Sequence, residues 1–161
     1  TAATAPAMRT AAGVDTVTFC FTKGLGAPVG SIICGSPELM AEIRYLRKRL
    51  GGGMRQVGVI AAAARVALRD WERLEQDHLL AARLAAGIAD HAPSAVDPAS
   101  VETNIVNVVV DHLKRPWPEI AARLATAAVA VNAPINGVWR LVTHRDVDAS
   151  DVDRLVAAIS R

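Results

Sequence analysis

The feature that most constrains this fold is a glycine-rich stretch set between two apolar runs. Residues 16–21 read Thr-Val-Thr-Phe-Cys-Phe and residues 31–34 read Ser-Ile-Ile-Cys. Both are rich in β-branched and aromatic side chains, which pack well on a pleated sheet and lose rotamer freedom in a helix. Between them lie Gly24, Gly26 and Gly30, residues that enter turn conformations other side chains resist. The pattern predicts two short strands joined as a hairpin or a close pass. Ser36-Pro37-Glu38 then reads as a helix start, with Ser as N-cap, Pro at the first helical position and an early acid. Strand, strand, then helix makes a mixed α/β chain.

Beyond that start, Leu39, Ile43, Leu46 and Leu50 recur at helical spacing until Gly51, Gly52 and Gly53 end the run. A second helical region begins near Gln56, with Ile60, Ala64, Ala67, Trp71 and Leu74 as its stripe. It is expected to run on, with a break, through Leu80, Leu84 and Ile88 to about His91. Residues 93–98 read as loop, and 103–110 as a strand apolar on both faces. Residues 116–128 read as a helix with Ile120, Leu124 and Ala127 on one face. In residues 138–143, strand alternation puts Arg140, Val142 and His144 on one side and Leu141 with Thr143 on the other. Residues 150–160 form a closing helix striped by Val152, Leu155, Val156 and Ile159, with Ser150 and Asp153 resembling a capping box. The alanine-rich residues 2–12 predict a further helix ended by Gly13. Two units are expected: residues 1–72 from a larger α/β domain, and residues 73–161 as a linking helix and a smaller α+β domain of about three strands with helices on one face.

Composition narrows the function. A chain of 161 residues, 52% hydrophobic and 21% charged, can bury a core without metals or disulfides. Aromatics are only 4%, so that core is aliphatic. Eighteen basic and 16 acidic residues leave a net charge of +2, which argues for neither a nucleic-acid nor a membrane-surface partner. The longest uncharged apolar run, residues 57–64, is far short of the ~18 residues a membrane span needs. No basic segment followed by an apolar one opens the sequence, so a cytoplasmic location is expected. Cys20 and Cys34 lack metal-ligand neighbours at zinc-site spacing; no metal is expected, and the thiols read as buried and free. The opening Thr-Ala-Ala-Thr-Ala has no initiator methionine and reads as the interior of a helix, so the chain is expected to be the C-terminal part of something longer.

Three places could carry chemistry. Lys23 ends the first strand between Thr22 and Gly24. A lysine that attacks an aldehyde needs an unprotonated amine and small neighbours that admit a flat ring; a surface lysine in a turn is the plain alternative. No P-loop or dinucleotide fingerprint is present, since the glycine spacing is wrong and a strand follows. The second place is Arg44, Arg47, Lys48 and Arg49, then three glycines, Met54 and Arg55. These cations either compensate a helix dipole or, with the glycine N–H groups, receive a phosphate. The third is Arg140, in the apolar strand Trp139-Arg140-Leu141-Val142. Burial would demand an anionic partner, either a structural carboxylate or a substrate's. His144 reads as a packed histidine.

Taken together, Phe21-Thr22-Lys23-Gly24-Leu25-Gly26-Ala27-Pro28-Val29-Gly30-Ser31, then Arg47-Lys48-Arg49-Leu50-Gly51-Gly52-Gly53-Met54-Arg55-Gln56, then Arg140-Leu141-Val142-Thr143-His144-Arg145-Asp146-Val147 resemble the C-terminal motifs of the low-specificity threonine aldolases. Thr103-Asn104 and Glu75-Gln76-Asp77-His78 match as well. The resemblance covers essentially the whole chain. It implies a fold-type I enzyme using pyridoxal 5'-phosphate, in which this chain is the C-terminal part of an aspartate-aminotransferase-like large domain plus the small domain. Lys23 matches the Schiff-base lysine. Lys48 and Arg55 match residues that reach the cofactor phosphate of a neighbouring subunit, which implies a homo-oligomer with shared sites. Arg140 matches the arginine that grips the substrate carboxylate. The implied reaction is retro-aldol cleavage of threonine or allo-threonine to glycine and acetaldehyde.

The sequence also departs from that pattern. The family's Asp-Gly-Ala-Arg segment, its phosphate cup and its ring-stacking histidine would precede Thr1, so this chain alone is expected to bind cofactor weakly and to have little or no activity. Phe21-Thr22 stands where Leu-Ser is usual, and Arg145 replaces a common leucine. Two other readings remain at this point: a β-eliminating lyase of the same fold type, and an inactive fragment acting as an oligomerisation module.

Overall fold

The computed structural model describes residues 13–160. The helix expected over residues 2–12 lies outside them. The chain divides into two compact units, with the boundary between Leu74 and Glu75.

In the first unit, β1 (Thr16–Cys20) pairs antiparallel with β2 (Ser31–Gly35), from Thr16 opposite Gly35 to Cys20 opposite Ser31. The hairpin reading holds. Phe21 N–H donates to the Gly30 carbonyl at 3.0 Å, and Ala27 N–H to the Phe21 carbonyl at 2.9 Å, so the connection folds back on the strand ends. Gly30 sits at φ 121°, where a side chain would be strained. Phe21, Ala27 and Ala64 form the small core of this unit.

Helix α1 (Pro37–Arg49) starts as its residues dictate: Ser36 Oγ accepts the Leu39 N–H at 3.3 Å. Leu39 and Ile43 are half-buried, Leu46 and Leu50 are exposed, and α1 buries no residue completely. Cys20 and Cys34 are likewise exposed free thiols rather than buried ones, on a two-stranded sheet in which no strand residue is buried. The anticipated long helix is interrupted at Asp70. Helix α2 (Gly58–Arg69) ends there, a 3-10 turn spans Trp71–Arg73, and α3 (Leu74–Ala89) begins.

The second unit holds the larger core. β3 (Ile105–Val109) and β4 (Val138–Val142) pair antiparallel, with Val106 opposite Leu141 and Val108 opposite Trp139. Those four side chains are buried against one layer of helices: Leu84 and Ile88 of α3, Ile120 and Leu124 of α4 (Trp117–Thr126), and Val152, Leu155 and Ile159 of α5 (Ala149–Ser160). The sheet has two strands among the described residues, not three; an isolated bridge between Ile135 and Val138 is its only addition there. Val106 and Val108 of β3 face the core, and its other face carries Ile105, Asn107 and Val109. Gly87 is fixed by packing, because a Cβ there would meet Val156 Cγ2 at 2.8 Å.

The cap of α5 is Asp148 with Asp151, not Ser150 with Asp153. Asp148 Oδ1 accepts the N–H groups of Ser150 (2.8 Å) and Asp151 (3.0 Å), while Asp148 N–H donates to Asp151 Oδ2 at 3.0 Å. The Ser150 hydroxyl, then the Asp151 N–H, hold the Asp148 carboxyl below its ordinary value of 3.8. A depressed carboxyl contributes stability above its unfolded pKa and loses it as pH falls through the folded one. The first turn of α5 therefore loosens only below that ordinary value, and Asp148→Asn weakens this acid response. Amide exchange at Asp151 followed against pH checks both. No helix among the described residues is long and apolar enough to cross a membrane.

Candidate active site

Lys23 lies in the turn that leaves β1, with its side chain exposed. The backbone around it is pinned on both sides. The Lys23 carbonyl accepts the Gly26 N–H at 2.8 Å. The Gly24 carbonyl accepts Arg73 Nη2 at 3.0 Å, and a Cβ on Gly24 would meet Leu74 Cδ2 at 2.6 Å. Phe21, two residues before Lys23, is buried. A flexible amine thus projects from a fixed backbone bordered by a glycine. Arg73 was not singled out from the sequence, where it is one charge among several on a helical segment; only the fold brings it to the Lys23 turn.

Lys48 and Arg55 flank one turn. Lys48 belongs to the basic last turn of α1 with Arg47 and Arg49, and all four cations are exposed. Much of the triple glycine is explained by the chain itself. Gly51 has φ 82°, and Gly52 N–H donates to the Arg47 carbonyl at 2.8 Å. A Cβ on Gly52 would stand 3.1 Å from that carbonyl oxygen. This is a helix C-terminus closed by glycine in the left-handed region. In sequence, Lys48 and Arg55 lie on either side of this glycine turn.

Arg140 is on the exposed face of β4 in the second unit, opposite Asn107. The expectation that its strand position would bury it is corrected: alternation sends Trp139 and Leu141 inward and Arg140 to solvent. His144 is exposed too, not packed; its Nδ1 accepts the Asp146 N–H at 3.3 Å and lies 3.6 Å from the Asp146 carboxylate. A cavity of about 240 Å³ lies in this unit, with Leu84, Leu141, Val152 and Leu155 among its walls, and none of the expected site residues lines it. Among the described residues, no three His, Cys, Asp or Glu side chains gather as a metal site would require.

The model of the family described as beta-eliminating lyase matches residues 1–111. The chain belongs to the beta-eliminating lyase family. It is 39% identical over 158 residues to an Arabidopsis thaliana protein named a probable low-specificity L-threonine aldolase, covering 97% of this chain and 44% of that one. It is 37% identical over 146 residues to the low specificity L-threonine aldolase of Escherichia coli K12, covering 89% of this chain and 41% of that one. The chain therefore spans about half the length of the curated relatives it matches. A crystal structure of a Listeria monocytogenes protein, provisionally named an L-allo-threonine aldolase, superposes with a TM-score of 0.72 at 16% identity, covering 96% of this chain and 46% of that one. At that identity the likeness establishes a shared fold, and the expected α/β class holds.

Proposed function

We propose that this chain serves pyridoxal-phosphate-dependent cleavage of β-hydroxy amino acids, converting threonine or allo-threonine to glycine and acetaldehyde. The observation that carries the reading is Lys23, an exposed amine on a backbone pinned by Phe21, Arg73 and Leu74 and bordered by glycine. The residues present suit this cofactor's chemistry: an amine for its aldehyde, and cations beside a tight turn for its phosphate. When bound, the cofactor supplies an aldehyde for the amine and a ring that accepts the electrons of the breaking Cα–Cβ bond.

The chain's own residues bind and orient. Lys23 Nζ would hold the cofactor through its aldehyde. Lys48 and Arg55 offer their charges to the phosphate of a neighbouring copy, which makes the working form a homo-oligomer. Arg140 takes the substrate carboxylate, a planar anion suited to two parallel guanidinium hydrogen bonds. On this reading residues 1–72 belong to the cofactor-binding domain, residues 73–161 form the linking helix and small domain, and the protein acts in the cytoplasm.

The description of the matching family favours β-elimination as a second reading. A substrate panel separates the two. The chain, supplied with cofactor, is expected to release glycine and acetaldehyde from threonine, slowly, and no pyruvate from cysteine or phenol from tyrosine. Release of pyruvate or phenol with no glycine overturns the aldolase reading.

A further inference from the structure

We propose that Thr143 and Asn104 act as a positioning pair for Arg140, holding the end of β4 so that the guanidinium meets its carboxylate squarely. The inference rests on the reading of Arg140 given above. Asn104 immediately precedes β3 and Thr143 immediately follows β4. Thr143 N–H donates to the Asn104 carbonyl at 3.0 Å, continuing the register of the sheet by one rung. The return bond comes from a side chain: Asn104 Nδ2 donates to the Thr143 carbonyl at 2.8 Å, where an antiparallel ladder would use a backbone N–H. Thr143 Oγ1 then donates to the Asp77 carbonyl in α3 at 2.5 Å. One residue thus ties the strand end to both the neighbouring strand and a helix.

These bonds are not needed to fill space. Thr143 is 2% exposed, and valine would occupy the same volume without a hydroxyl to satisfy. A buried hydroxyl that donates to a fixed carbonyl instead specifies one geometry. Arg140 needs such help. It sits on the exposed face of a five-residue strand, so no packing of its own side chain fixes it. Trp139 and Leu141 keep the strand from slipping by one residue, which would turn Arg140 into the core. They leave the C-terminal end of the strand, three residues beyond Arg140, to be held by the Thr143 and Asn104 bonds.

The test uses the full chain supplied with cofactor, and reads arginine modification by phenylglyoxal rather than turnover. Peptide mass spectrometry follows Arg140, with glycine added as the protecting carboxylate. In Thr143→Val the glycine concentration for half protection is expected to rise about tenfold. Hydrogen exchange in the peptide over residues 138–144 is expected to quicken. Thr143→Ser, which keeps the hydroxyl, restores both. Ile159→Val, a core change in α5, lowers stability and leaves glycine protection unchanged. Unchanged protection in Thr143→Val, unchanged exchange in that peptide, or an equal loss in Ile159→Val would each overturn the positioning role. Absence of glycine protection in the unmodified chain would instead overturn the reading of Arg140, and the inference with it. Should Thr143→Val fail to fold, Asn104→Ala removes a single bond and takes the same measurements.

Discussion

Lys23→Ala abolishes covalent attachment of pyridoxal phosphate to this chain. After borohydride trapping, the unmodified protein carries the added mass on the peptide containing Lys23, and the variant carries none on any peptide. The effect is all or none at that position because the trapped secondary amine there needs Lys23 Nζ, and a methyl group offers no substitute. The protein has one other lysine in the first unit, Lys48, at the end of α1. Mass retained on Lys48 in the variant would assign the attachment to the wrong lysine. Lys23→Arg sharpens the result: the charge stays, the nucleophile goes, and trapping is lost just as completely.

The largest loss of stability is expected from Trp139→Ala. Trp139 is fully buried at the centre of the second unit and meets Trp117 edge to face, with ring centroids 5.0 Å apart. Removing such a side chain costs about 3–5 kcal/mol in transfer and cavity terms together, a large share of a small unit's stability. Trp139→Phe is milder for a reason specific to this site. The indole Nε1 is buried without a hydrogen-bond partner among the described residues, so phenylalanine loses area but also removes an unsatisfied donor. Urea unfolding followed by circular dichroism ranks the three proteins. A phenylalanine variant as unstable as the alanine variant would show that the indole N–H is satisfied.

Local structure was legible wherever neighbouring residues decide it. The β1–β2 hairpin follows from two β-branched runs around glycines, and the Ser36 cap from three consecutive residues. The alternation of β4 follows from its period of two. Misreadings arose where a choice depends on distant contacts. The Asp148–Asp151 cap lay two residues from the expected pair, since both positions offer suitable side chains and only the helix start selects one. Cys20 and Cys34 were expected to be buried because they lie in apolar runs, yet burial depends on which elements lie over them.

By itself, the sequence determined the strand and helix types, the family, and the identity of Lys23, Lys48, Arg55 and Arg140 as the residues to test. Such motifs are local, and local chemistry is written in residue order. The tertiary structure alone decided the rest. It brought Arg73 to the carbonyl of Gly24, 49 residues away, and the hydroxyl of Thr143 to the carbonyl of Asp77, 66 residues away. It also decided that Arg140 faces solvent, because Trp139 and Leu141 gain more from the core than an arginine could. Contacts between distant residues exist only once the chain has closed its loops, so no stretch of sequence carries them.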